Sequence, residues 1–274
     1  MTKGRIIHGL GLCAGLLLAL AGSAQAETHG DVVTSRQPYP LAEAKRSVVQ
    51  GRQVGVAARS AERRRPSCRL PRASLSLARG ERAIELRQLS INLRTCRATF
   101  ERGVPPKWTE DSSSERPQSA GANRGEGGRA TGVHSAAREY TFGGYSKAWY
   151  TDGRTGGGLT SVRSGADWNR SGGCIGTNSA WFRTWADTST GWFEVSRRWS
   201  RVNTRCDYVI SSTNAHFRDR EFTGCSDGPV VDSHYSRVRF VGYPNGNMKG
   251  SRTSWNDPSC YPVLVAHLAL YRRR

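Results

Sequence analysis

From Ser146 onward the chain alternates. Aromatic and β-branched residues trade places with polar ones in short runs, and Gly, Asn, Asp and Pro interrupt the runs. A period of two places successive side chains on opposite faces of an extended backbone, so each run predicts a strand. The predicted strands are 146–151 (SKAWYT), 159–163 (LTSVR), 179–185 (SAWFRTW), 191–196 (GWFEVS), 207–217 (DYVISSTNAHF), 236–243 (SRVRFVGY), 251–255 (SRTSW) and 263–271 (VLVAHLALY). The turn-forming runs DGRTGGG, TSTG, RDRE and PNGN separate them. So many short strands within 139–274 predict an all-β C-terminal domain, either a sandwich or a small barrel.

Upstream the pattern changes. Residues 41–61 mix Ala, Val, Lys, Arg and Glu in a helix-compatible order, and 82–90 (RAIELRQLS) reads as a short helix carrying Ile84, Leu86 and Leu89. Residues 90–101 then alternate and predict a strand. Residues 62–82 are dense in arginine and poor in core residues. Together 27–103 reads as a small α+β or partly disordered N-terminal region. Residues 104–138 combine Pro, Ser, Gly and scattered charge, which buries too little apolar area to offset ordering entropy. A disordered linker is expected there.

The first 26 residues read as an export signal. Lys3 and Arg5 precede an apolar run from Ile6 to Leu20, and Ala24 and Ala26 are the small residues a signal peptidase selects. No later segment is apolar enough to span a bilayer, so no stable membrane insertion is expected. Cleavage after Ala26 removes Cys13 and leaves Cys68, Cys96, Cys174, Cys206, Cys225 and Cys260. An even cysteine count in an exported chain argues for disulfides. No CxxC and no usual cysteine–histidine spacing is present, so neither a metal nor another cofactor is expected.

One pattern occurs twice. GADWNRSGGC ends at Cys174 and RTSWNDPSC ends at Cys260, each with a Trp-Asn pair just ahead of the cysteine. The runs starting at Tyr145 (YSKAWYTDG) and Tyr235 (YSRVRFVGY) precede them in similar register. A repeated hairpin-plus-cysteine unit follows, with Trp168 and Trp255 as packing residues rather than stacking platforms for a ligand. Local pairing then gives Cys174–Cys206, Cys225–Cys260 and Cys68–Cys96.

Charge and chemistry alter this picture only modestly. The formal net charge is +19, and the basic residues are almost all arginine, spread along the chain. Spread charge of this kind favours weak adhesion to anionic polymers rather than specific nucleic-acid recognition. The run 214–221 (NAHFRDRE) gathers His216, Asp219 and Glu221, the first place to look for an acid and a base. It also reads as a solvated hairpin tip. His267, within VLVAHLAL, reads as a hydrogen-bonded core histidine. Asp152, Asp167, Asp187, Glu194 and Asp207 are further carboxylates, none singled out by spacing. GYSKA departs from the nucleophile elbow at Ala148, and HExxH, the P-loop and the dinucleotide glycine motif are absent. Aromatic density is the remaining signal. Trp181 and Trp185 share one strand face with Arg183, and Trp192 lies nearby, so these four form the candidate ligand-binding set.

The signal segment, the run AIELRQLSINLRTCRATFERG, the Ser/Gly linker and the Trp-rich tail with SRVRFVGYPNG resemble secreted proteins of actinobacteria. That resemblance implies export and a GC-rich source, and brings no activity or site residues with it. The expectation is an extracellular, non-catalytic binding module for cell-envelope glycans or other anionic polymers. The alternatives are a secreted hydrolase centred near His216, and an inhibitor or toxin presenting the loop 151–158.

Overall fold

Strands cover the alternating runs of the C-terminal part and extend past several of them, with 142–152 in place of 146–151 and 231–242 in place of 236–243. The computed structural model of the chain describes residues 28–29, 32–34, 39–54, 67–105, 140–204, 206–222, 230–253 and 264–273. The N-terminal strands are β1 (Thr28–His29), β2 (Val32–Thr34), β3 (Ala42–Gln50), β4 (Arg52–Val54), β5 (Ser67–Arg69), β6 (Ala73–Leu77), β7 (Ala83–Asn92) and β8 (Arg97–Val104). The C-terminal ones are β9 (Phe142–Asp152), β10 (Gly158–Ser171), β11 (Cys174–Ala186), β12 (Phe193–Thr204), β13 (Tyr208–Asp219), β14 (Val231–Gly242), β15 (Met248–Arg252) and β16 (Leu264–Arg272). No α-helix occurs among the described residues, and therefore none long and apolar enough to cross a membrane.

All pairing is antiparallel. One sheet runs β1-β2-β7-β16-β9-β10-β11, with β8 joining β7 to β3. A second runs β12-β13-β14-β15-β6, and β4 pairs with β5. The two large sheets face each other as a sandwich. Val162, Ala166 and Trp168 of the first sheet share one apolar core with Phe217, Val238 and Phe240 of the second. Some of the polar groups inside that core are paired across the sheets. Tyr235 donates to the Thr160 carbonyl at 2.9 Å, and the Ser164 and Thr213 hydroxyls meet at 2.6 Å.

The α+β expectation for the N-terminal region fails on its helices. Residues 42–50 and 83–92 are the strands β3 and β7. The run 82–90 reads as a short helix, but its charged residues Glu85 and Arg87 occupy a second buried sheet face. Leu86 opposes Leu268 on the core side, while Glu85 and Arg87 point the other way and are themselves buried. There Arg87 Nε donates to Glu101 at 3.1 Å and its Nη1 donates to the Tyr39 carbonyl. Moreover, β6 completes the second sheet, so the N-terminal strands are built into the same sandwich as the C-terminal ones.

Among the described residues two disulfides are present, Cys68–Cys96 and Cys174–Cys206. The second joins the start of β11 to the β12–β13 turn and so ties one sheet to the other. Cys225 and Cys260 lie outside the described residues, as do the segments 1–26 and 106–139 and the pair Trp255-Asn256. Trp168, the first Trp of the repeated pattern, is fully buried against Phe142 and Phe240, and its indole N–H donates to the Tyr243 carbonyl at 3.0 Å. A side chain at Gly242 would collide with its ring, so the close approach requires glycine there. Trp168 is scaffold.

Candidate functional site

The central feature lies on the face of the large sheet that points away from the core. Register places Lys147 of β9 opposite Arg163 of β10, and Arg163 opposite Arg183 of β11. Three cations therefore form one row across three adjacent strands. Aromatic rungs flank this row two residues away on each side. One rung is Trp149–Ser161–Trp185 and the other is Tyr145–Gly165–Trp181. Period two keeps all nine positions on the same face.

Local packing holds the rungs in place. Lys147 Nζ stands 5.0 Å from the Trp149 ring centroid and the Arg163 guanidinium 5.8 Å from that of Tyr145. Gly165 leaves the space that the Trp181 ring fills, and the Trp181 N–H donates to Asp167 at 3.2 Å. Tyr145 stacks on Tyr271 at 5.1 Å. Exposure rises toward β11. Lys147, Trp149 and Tyr145 are buried, Arg163, Arg183 and Trp181 are half-buried, and Trp185 is 39% exposed. The face is thus rooted in the sheet and opens at β11.

Beside the rungs sits a buried polar chain. The His267 ring lies parallel to Trp149 at 4.6 Å. Its Nδ1 is 2.9 Å from Glu85 Oε1 and its Nε2 is 3.0 Å from the Thr151 hydroxyl. Burial pushes its pKa down, against the opposing pull of Glu85. A neutral ring with the proton on Nδ1 satisfies both contacts, donating to Glu85 and accepting from Thr151. His267 is therefore a satisfied structural histidine.

The candidate binding set divides. Trp181, Arg183 and Trp185 are brought together on the outer face. Trp192 is fully buried, edge-on to Phe222 within the core, and is not part of it. The set His216, Asp219 and Glu221 does not converge. His216 lies inside β13 rather than at a hairpin tip, and a spacing of three sends Asp219 to the opposite face. Asp219 is buried, its pKa is raised mainly by burial, and it accepts the Glu221 backbone N–H at 2.8 Å. Glu221 is exposed in the turn that follows.

His216 has different neighbours, which the sequence did not connect to it. It is the direct cross-strand partner of His234 in β14, with the two rings stacked at 4.1 Å. Its Nε2 lies 2.6 Å from Asp232 Oδ1. Arg218 grips both oxygens of that carboxylate, at 2.8 and 3.2 Å, and this hydrogen bonding holds the Asp232 pKa below the usual range. His216 alternates with the core residue Phe217, so this cluster faces outward from the smaller sheet. It is on the opposite side of the sandwich from the aromatic and cationic face.

The other carboxylates serve local structure. Asp152 pairs with Arg154, Asp187 caps the turn 188–190, and Glu194 pairs with Arg197. No protein-family model, curated protein or solved structure matches the chain.

Proposed function

We propose that the protein is exported and binds an anionic glycan of the cell envelope through the outer face of its large sheet, without catalysis. One observation carries this reading. The cations Lys147, Arg163 and Arg183 stand in a row between two aromatic rungs, and the face opens to solvent at β11, where Trp185 is exposed. Indole faces stack on the apolar faces of sugar rings while guanidinium groups take carboxylate or phosphate oxygens in bidentate fashion. A polymer that alternates rings and negative charges matches both requirements. The surplus of basic residues draws such a polymer toward the surface and makes its capture salt-dependent. The disulfides support the extracellular assignment.

The test is retention on purified cell walls and on DNA over a salt series. The expected result is saturable retention on an envelope glycan at a salt concentration that releases the protein from DNA. Trp185→Ala, at an exposed position, lowers that retention at least about tenfold, in line with the loss of an aromatic anchor. Equal retention on every anionic support, unchanged in Trp185→Ala, contradicts the proposal and leaves bulk charge as the explanation.

A further inference from the structure

The side of the molecule remote from the glycan face carries a second cluster. His216 of β13 and His234 of β14 are paired across two central strands of the smaller sheet, with Asp232 two residues before His234 on the same face. Each contributes one potential ligand atom, and the three atoms lie within 4.8 Å of one another. Their backbone is fixed by ladder pairing on both sides of β13, so their spacing belongs to the sheet and not to a mobile loop.

We infer that His216, His234 and Asp232 form a binding site for a divalent d-block cation of the zinc or copper class. Two imidazoles and one carboxylate suit such ions, whereas magnesium and calcium prefer all-oxygen shells. Ligand atoms about 2.0–2.1 Å from a tetrahedral zinc ion stand roughly 3.3 Å from each other. Two stacked rings and an adjacent carboxylate reach that arrangement by small side-chain rotations. The contact between His216 Nε2 and Asp232 Oδ1 at 2.6 Å holds a proton where the cation would bind. On binding, that proton moves to Nδ1 and both atoms turn their lone pairs to the metal. Three protein ligands leave a coordination position for water.

Arg218 sets the affinity. Its guanidinium occupies both oxygens of Asp232 and adds positive charge where the cation must sit. It acts through the carboxylate and does not touch the metal. Metal uptake therefore competes with the Arg218–Asp232 pair. This proposal stands apart from the glycan reading, since it uses none of the same residues.

Calorimetric titration of the oxidised full-length chain with zinc chloride, and separately with copper(II), tests it. The expected result is a single site for each, and none for magnesium or calcium. Substitutions of His234→Ala and Asp232→Asn each weaken zinc binding by about tenfold or more, a typical loss when part of a metal site is removed. His234 is exposed, so its alanine variant keeps the wild-type unfolding midpoint. Arg218→Gln binds zinc more tightly than wild type, an effect that a purely structural role for Arg218 does not produce. The proposal is overturned if no saturable binding occurs up to about 1 mM zinc, the scale of the weakest specific affinities. It is equally overturned if His234→Ala binds as wild type does, which would assign the signal to histidines elsewhere in the chain.

Discussion

Single residues here owe their roles to the side of a strand on which they fall. Trp168 and Trp185 are both tryptophans on alternating strands. One is sealed in the core and the other opens to solvent. Trp168→Ala leaves a cavity between Phe142 and Phe240, with a cost of about 3–5 kcal/mol. Denaturant unfolding reads that loss, while Trp185→Ala stays close to wild type in the same assay. His267 gives a pH signature. Its ordinary value is 6.5 and burial lowers it in the folded chain. As pH falls through that value the unfolded chain takes up a proton that the folded ring resists, so acid shifts the balance toward unfolding. Between about pH 7 and pH 5, His267→Gln removes up to roughly 1.4 kcal/mol per pH unit of that slope. Identical slopes in the two proteins would show that the ring takes up its proton equally well when folded.

Elements are where the sequence was read best and also where it misled. The alternation in 146–151, 179–185 and 207–217 corresponds to β9, β11 and β13, and the parity of Trp181, Arg183 and Trp185 follows from it. The same logic failed at 83–92. There Glu85 and Arg87 alternate with Ile84 and Leu86, but the run reads as a short helix. In β7 the charged face is buried, with Arg87 paired to Glu101 of β8 and Glu85 hydrogen-bonded to Tyr39 and His267. Removing one member of such a pair leaves the other charge stranded. Arg87→Ala therefore destabilises by about 3–5 kcal/mol through Glu101. Arg197→Ala, which breaks the exposed pair with Glu194, costs less than about 1 kcal/mol. Chemical denaturation of the two variants separates these cases. The cation row and the His216–His234 pair were invisible for another reason. Lys147 meets Arg163, and His216 meets His234, only through strand register, which turn geometry and the fit of two sheets decide.

At the largest scale, the two main sheets of the described residues form one sandwich with two dissimilar outer faces. The large sheet carries the aromatic and cationic rows, and the smaller sheet carries the histidine pair. The Cys174–Cys206 bridge, 32 residues apart in sequence, ties the sheets at one end. A loop of that size restricts the unfolded chain by roughly 3–4 kcal/mol in the chain-entropy picture. A Cys174→Ser/Cys206→Ser double variant loses about that much stability in equilibrium unfolding. Its glycan affinity holds as long as the fold does, because the row and rungs come from strand register alone.

Titration of the oxidised protein with a purified anionic envelope glycan, followed by tryptophan fluorescence, tests the central claim most directly. Wild type should show a saturable change that Trp185→Phe largely removes and that Arg183→Gln shifts to higher glycan concentration. A saturable change of the same size and midpoint in all three proteins would place binding elsewhere and contradict the account.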